Sequence, residues 1–446
     1  MPRLRFPHPL TLLTACIFAG AILSYVVPAG RYDRREDPAT GRRIVAAGTY
    51  HRVEPAPVGP FAALVALPKG MADASSVIFF VFLVGGAFTV VDETGALRQA
   101  VGWLARRLDR REVLVIPIVS IAFAFGGALE NMSEEIIALV PVLLLVTGRL
   151  GFDEVTAVAI SLGAAGIGAA FSPINPFQAQ IAQKLAGLPL LSGWAFRTAV
   201  LAIALTIWIW GTWRHAARTR RAPDPSGPAD AGRFDPPRAL VLLLVIAAFV
   251  VFVYGIVALG WDFDQMGALF FAMGIAAGLI GGLGLAGTAS AFVTGFSSMA
   301  YAAMLIGFAR AIFVVLDEGR IVDTIVNGLV TPLQHLPLAA SAVGMLAVQA
   351  ILHVPVPSVS GQAVLTMPVL VPTSDLIGLS RQVAVLAYQA GAGLTELVTP
   401  TNGALMAVTA AAGVRYGDWF AFAGRLYALL LGVGALAVIV AIAIRW

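Results

Sequence analysis

Apolar runs of about twenty residues recur along nearly the whole chain, and their length limits what it can fold into. A lipid core is crossed by about 20 residues of helix. Runs of that order can be drawn at 10–28, 74–92, 154–187, 194–213, 238–259, 265–284, 301–317, 380–412 and 419–443. Only 12% of the residues are charged, 59% are hydrophobic and mean hydropathy is +0.87. A water-facing domain carries about 25% charged residues, so these runs have no soluble alternative. They do not alternate as the ten-residue strands of a membrane barrel do. The chain therefore reads as an all-α polytopic membrane protein with about nine spans and two hairpins.

The net charge of +4 comes mainly from arginines in loops, a pattern of loop retention at the cytoplasmic face rather than of nucleic-acid binding. With the N-terminus inside, Arg106/Arg107/Arg110/Arg111 and Arg214/Arg218/Arg220/Arg221 both fall in the cytoplasm, as expected for a bacterial inner membrane. The polar loop 30–57, with six arginines balanced by Asp33, Glu36, Asp37 and Glu54, would lie outside. The run from Leu10 to Val27 is long enough to stay as a first span rather than be cleaved as a signal peptide. One cysteine, Cys16, excludes a disulfide framework and a cysteine metal cluster. The stretches 94–110, 287–299 and 319–335 are amphipathic. In the first, Leu97, Val101, Leu104 and Leu108 lie opposite Arg98, Arg106 and Arg107, which suits a helix in the membrane interface.

Inside the third run, FSPINPF (171–177) places two prolines around an asparagine, and each proline removes a backbone donor and disrupts the preceding turn. This break has a twin. ENMSEEIIALVPV (130–142) aligns with PSVSGQAVLTMPV (357–369), with Pro141 on Pro368, an offset of 368 − 141 = 227. The same offset sets Ser172-Pro173-Ile174-Asn175 on Thr399-Pro400-Thr401-Asn402, and Val91-Asp92-Glu93 matches Leu316-Asp317-Glu318 at 225. The chain divides into a first repeat (1–213), a linker and connecting span (214–264) and a second repeat (265–446). An odd number of crossings separates equivalent elements, so the repeats are inverted, the architecture from which secondary transporters build midplane sites with discontinuous helices. Segments 112–149 and 337–372, each with two short apolar arms around a polar middle, fit re-entrant hairpins, and 154–187 and 380–412 fit broken helices.

Half-helix ends at such breaks expose free N–H and C=O groups that attract carboxylates and Na⁺ respectively. Asn131, Ser133, Ser172 and Asn175 are expected to supply one polar set, and Ser358, Ser360, Gln362, Thr399, Thr401 and Asn402 the other, with substrate between them. Na⁺ would bind near Asn131, Ser133, Asn175, Ser360 and Asn402. The alternative role for all of these is to satisfy backbone freed at the kinks. Glu130, Glu134 and Glu135 at the first tip and Glu396 before the second break are carboxylates inside a bilayer, which default to a functional role. They suit proton carriage or a cationic substrate group. The second tip has no acid at Pro357, Gly361 or Gln362. Asp92/Glu93 and Asp317/Glu318 read as span ends. GLGLAG (282–287) follows a membrane helix rather than a strand, which argues against dinucleotide binding. His335 and His353 form no metal motif, and no resident cofactor is called for.

PSVSGQAVLTMPV, ELVTPTNG, FSPINPF and FFVFLVGGAF (79–88) resemble the C4-dicarboxylate anaerobic carrier-like family, and more closely its YfcC-like branch, from Pro28 to about Trp419. The resemblance implies the ion transporter superfamily fold, with paired hairpins and a scaffold that can form a homodimer. Its sodium-coupled relatives carry Ser-Asn-Thr tips, where this chain has Asn131-Met132-Ser133 and Ser358-Val359-Ser360. Some relatives are viewed as basic amino-acid antiporters, and Glu130, Glu134 and Glu135 would suit an amino or guanidinium group. The leading expectation is a secondary transporter, not an enzyme, that moves a small carboxylate-bearing solute such as an amino acid. Exchange, Na⁺ or H⁺ would drive it, and its partners would be that solute and membrane lipid. A C4-dicarboxylate carrier is the second reading, weakened because the sequence places no arginine or lysine near a tip or break except Lys184. An intramembrane hydrolase using Ser360 and His353 would have no need of the repeat.

Overall fold

The structure, a computed structural model, describes residues 7–38, 43–97, 99, 112–221, 235–259 and 261–446. The first half comprises α1 (Pro9–Val26), the pair α2 (Pro60–Asp73) and α3 (Ser75–Glu93), the hairpin α4 (Val115–Glu130) and α5 (Glu134–Arg149), the broken α6 (Glu154–Leu185) and α7 (Trp194–Thr219). After the connecting α8 (Pro236–Leu259) come α9 (Phe263–Ile280), α10 (Gly284–Glu318) and the short α11 (Val322–Val330). The hairpin α12 (Leu338–His353) and α13 (Val359–Leu376) follows, then the broken α14, made of α14a (Arg381–Thr395) and α14b (Gly403–Ala411), and last α15 (Tyr416–Ala443). Within α6, α6a (154–171) and α6b (176–185) flank the SPIN turn, and each contains a π-helical turn, Ala159–Gly163 and Pro176–Gln180. Among the described residues eight helices are long and apolar enough to cross a membrane.

The inverted repeat is visible where equivalent helices cross. A Cβ added at Gly70 would lie 2.6 Å from the Ala311 nitrogen, and one at Gly295 would lie 2.5 Å from the Gly86 Cα. Adding 225 to Gly70 gives Gly295 and adding it to Gly86 gives Ala311, so these two contacts exchange under the repeat. The broken helices behave alike at the offset of 227. Gly166 approaches Leu397 at 2.6 Å from its would-be Cβ, and Gly393 approaches Ala170 at 2.8 Å. In both crossings the partner residue number falls as the other rises, so equivalent helices run antiparallel. Small residues allow that closeness where no hydrophobic force drives helices together in lipid. Each hairpin's first arm packs on its own broken helix, α4 on α6a and α12 on α14a, whereas the second arms cross over, α5 to α14b and α13 to α6b.

Several elements differ from the sequence expectation. The interfacial stretch expected at 287–299 and the span at 301–317 are one continuous helix, α10. Its hydroxyls donate back to its own carbonyls, Thr288 to Gly284, Thr294 to Ser290 and Ser297 to Val293, so its polar residues do not end it. Its counterpart in the first half is the α2–α3 pair, jointed at Ala74. α2 was not foreseen because Pro68, Lys69 and Asp73 interrupt its apolar pattern. α7 extends to Thr219, beyond the expected end at 213. Most of the expected stretch 94–110, with Arg98, Val101, Leu104, Arg106, Arg107 and Leu108, lies outside the described residues, as do Arg110, Arg111 and linker residues 222–234.

The described residues of the polar loop 30–57 form two antiparallel ribbons, β1 (Gly30–Arg31) with β4 (His51–Arg52) and β2 (Arg34–Glu36) with β3 (Arg43–Val45). It is fastened to α11. Arg34 donates to both Asp323 oxygens at 2.8 and 2.9 Å, and the Tyr32 hydroxyl donates to Asn327 at 2.9 Å. Ile44 and Val45 are buried, and β3 packs on α13.

The crossing contacts give a direct test. Gly295→Leu should lower the thermal unfolding temperature in detergent, since forced overpacking costs about 1–3 kcal/mol. Gly432→Ala, at a position with open space around it, should leave it unchanged. Equal melting for both variants would contradict the close crossing.

Candidate functional site

Cutting a helix at membrane depth frees backbone groups that lipid cannot satisfy, and in this chain each break takes its partners from the adjacent hairpin tip. At the first break the Ser172 hydroxyl donates to the Ala128 carbonyl (2.7 Å) and accepts the Ile174 and Asn175 N–H groups, both at 3.0 Å. Asn175 caps α6b, its Oδ1 accepting the Phe177 and Gln178 N–H groups, while its Nδ2 donates to the Gly127 carbonyl at 2.9 Å. The second break repeats the plan. The Asn402 Oδ1 accepts the Leu405 N–H (2.9 Å), and the Thr401 hydroxyl donates to the Val354 carbonyl beside the second tip (2.6 Å) and shares a bond with Thr399 (2.8 Å). The Trp419 indole donates to the freed Leu397 carbonyl at 2.8 Å and the Tyr416 hydroxyl donates to that of Val398.

At the first tip Asn131 takes a left-handed conformation (φ 56°) that turns the chain between α4 and α5. Its Oδ1 accepts from Gln178 at 2.6 Å, tying the tip to α6b. Ser133 donates its backbone N–H to Glu135 (3.1 Å) and makes no side-chain cap. Glu134 opens α5 half-buried, and the Glu130 side chain lies outside the described residues. At the second tip Ser358 caps Gly361 (3.3 Å) and Ser360 lies half-buried in the first turn of α13. Gln362 is buried between His353 and Gln349.

Three of the amide oxygens expected near a sodium ion are engaged in hydrogen bonds. The Oδ1 atoms of Asn175 and Asn402 accept backbone N–H groups freed at the breaks, and the Asn131 Oδ1 accepts the Gln178 side-chain amide. Asn175 and Asn402 are buried at the two breaks.

The acids meet across the repeats. α5 packs on α14b, which brings Glu134 within Coulombic range of Glu396 at the start of the second break. The Glu396 carboxylate lies 3.9 Å from the buried His353 ring. Among the described residues neither acid pairs with an arginine or lysine. The Glu135 carboxylate accepts the Ser133 N–H at 3.1 Å.

One buried cation near the first break was not expected from the sequence. Arg197, buried in α7, donates to Gln389 (3.2 Å), Gln382 (3.1 Å) and the Ser192 carbonyl (2.8 Å) and stacks 4.9 Å over Trp446. Gln389 in turn donates to the Ser172 carbonyl at 2.6 Å, so a cation does stand beside the first break. An arginine in an apolar run was the available signal. An open cleft of about 350 Å³ lies elsewhere, between α3 and the far end of α5, lined by Asp92 and Arg149 among others.

A family model described as C4-dicarboxylate anaerobic carrier matches residues 6–443. A protein of Escherichia coli (strain K12) described as "Putative basic amino acid antiporter YfcC" is 33% identical, covering 98% of this chain and 97% of that protein. A protein of Haemophilus influenzae described as uncharacterized is 28% identical over the same shares. Among solved structures, the Alcanivorax borkumensis YdaH transporter is 17% identical with a TM-score of 0.46, over 99% of each chain. Neisseria gonorrhoeae MtrF is 18% identical with a TM-score of 0.41, over 98% of this chain and 95% of that one.

The capping roles predict an ordered series at position 402. Asn402→Ala should destabilise by about 0.5–2 kcal/mol and reduce uptake in proteoliposomes, while Asn402→Ser, which keeps a capping oxygen, should recover most of the melting temperature. Serine performing no better than alanine would refute the capping role.

Proposed function

Since the chain belongs to the C4-dicarboxylate anaerobic carrier family and is a membrane transporter, we propose that it is a secondary active transporter of a basic amino acid. The solute carries a carboxylate and a cationic side chain. It crosses a bacterial inner membrane by alternating access, in exchange for another solute or coupled to an ion, with the N-terminus in the cytoplasm. The observation that carries the reading is the pair Glu134 and Glu396, within Coulombic range of each other from opposite repeats, with no arginine or lysine partner among the described residues. Carboxylates at that depth are costly unless something cationic joins them, and a guanidinium or ammonium end supplies that charge. Inverted repeats with discontinuous helices provide the midplane position and the two alternating openings. The E. coli relative's description points the same way.

C4-dicarboxylate carriage is the second reading, favoured by the family's description and by Arg197 beside the first break. Counterflow separates the two. Proteoliposomes preloaded with arginine or ornithine should accumulate labelled arginine, and Glu134→Gln should weaken arginine at least about tenfold, which is about 1.4 kcal/mol, while leaving any succinate uptake unchanged. Counterflow of succinate with none of arginine would overturn the basic-substrate reading in favour of the second.

A further inference from the structure

The hydrogen bonds around His353 fix which of its nitrogens carries hydrogen. The Gln349 backbone carbonyl can only accept, and the Gln362 side-chain atom 2.7 Å from it is therefore the amide nitrogen, which also reaches the Gln349 Oε1 at 2.6 Å. The Gln362 oxygen then faces the His353 Nδ1 at 2.9 Å, so Nδ1 donates and a neutral ring leaves Nε2 as a bare lone pair. That Nε2 is fully buried, has no hydrogen-bond partner, and points at the Glu396 Oε1 3.9 Å away. Glu134 completes the group from the other repeat. Two acceptors thus face each other and a third lies within Coulombic range, with no donor among the three, and acceptors so arranged need a hydrogen between them.

The remaining titratable neighbours are committed. The Tyr388 hydroxyl on α14a donates to the Val359 carbonyl at 2.6 Å. The Tyr427 hydroxyl on α15 bonds with Thr395 at 3.1 Å, and Glu135 on α5 accepts the Ser133 N–H. Neither tyrosine hydroxyl delivers a donor to the three acceptors.

We propose that Glu134, Glu396 and the His353 Nε2 form one acceptor site that holds either a proton or the cationic end of the substrate, never both, so that binding a basic amino acid expels a proton. The inference rests on the basic-substrate reading and adds the species exchanged against it. In the empty site one proton is held among the three acceptors. When an ammonium or guanidinium donates its N–H groups to them, that proton passes to water and no bond to carbon changes. One positive charge enters and one leaves, so the buried site keeps its net charge, and the cost of leaving the carboxylates without a counter-charge is avoided in either state. Release of the substrate requires a proton in return, which makes the site itself the coupling device.

The test uses purified full-length protein in weakly buffered detergent solution, with a pH indicator and calorimetry read on the same sample. Adding arginine should release about one proton per arginine bound, and apparent affinity should rise by up to about tenfold per pH unit while the site is protonated. In Glu396→Gln, release per bound arginine should fall severalfold. Arginine that binds wild-type protein without releasing protons overturns the proton exchange and leaves the basic-substrate reading standing. Failure of both arginine and ornithine to bind, with succinate binding, overturns both. The wild-type titration decides the matter whether or not the variant folds.

Discussion

A helix interrupted at membrane depth must find partners for its freed backbone within the protein, since lipid offers none, and the rest of this structure depends on how that is done. Ser172 and Asn175 reach the carbonyls of Ala128 and Gly127, and Thr401 reaches Val354. Each break is thereby bolted to the tip of its own hairpin, so that tip and break hold one arrangement. The capping also decides which polar atoms stay free. The Ser172, Asn175, Thr401 and Asn402 side chains are taken by backbone groups, while the Glu134 and Glu396 carboxylates have no arginine or lysine partner among the described residues and the His353 Nε2 has no hydrogen-bond partner.

The framework is symmetric and the chemistry is not. The Gly70–Ala311 and Gly86–Gly295 contacts exchange under the repeat, as do Gly166–Leu397 and Ala170–Gly393. Yet at the offset of 227 Glu396 corresponds to Ala169, Glu134 to Gly361 and His353 to Gly126. All three acceptors have small, uncharged counterparts. The backbone geometry is two-fold, whereas the three acceptors occur once. The ribbons on α11 add a second asymmetry, since they rest on the second hairpin's arm α13.

Much of this was legible in the sequence because it is local. Pro173 and Pro176 announce a break wherever they stand, the offset of 227 pairs it with Thr399–Asn402, and the polar middles of 112–149 and 337–372 mark two hairpin turns. What was not legible depends on lateral packing. No local pattern says that α5 crosses to α14b and so carries Glu134 to Glu396, or that Arg197 turns inward to Gln389. The continuity of α10 was hidden because its hydroxyls resemble a polar face until their back-bonding is seen. Asn175 and Asn402 cap the half-helices at the two breaks, a role that residue type alone does not separate from ligand binding.

The central claim is that the two breaks and two tips enclose one solute site reached in turn from either side. Ile174, half-buried in the first break, reports on it directly. In a Cys16→Ser background carrying Ile174→Cys, reconstituted in proteoliposomes, a membrane-impermeant maleimide should label position 174 whether supplied outside or sealed inside, and arginine should slow both reactions. Labelling from one side only, at a rate that no solute alters, would contradict the account.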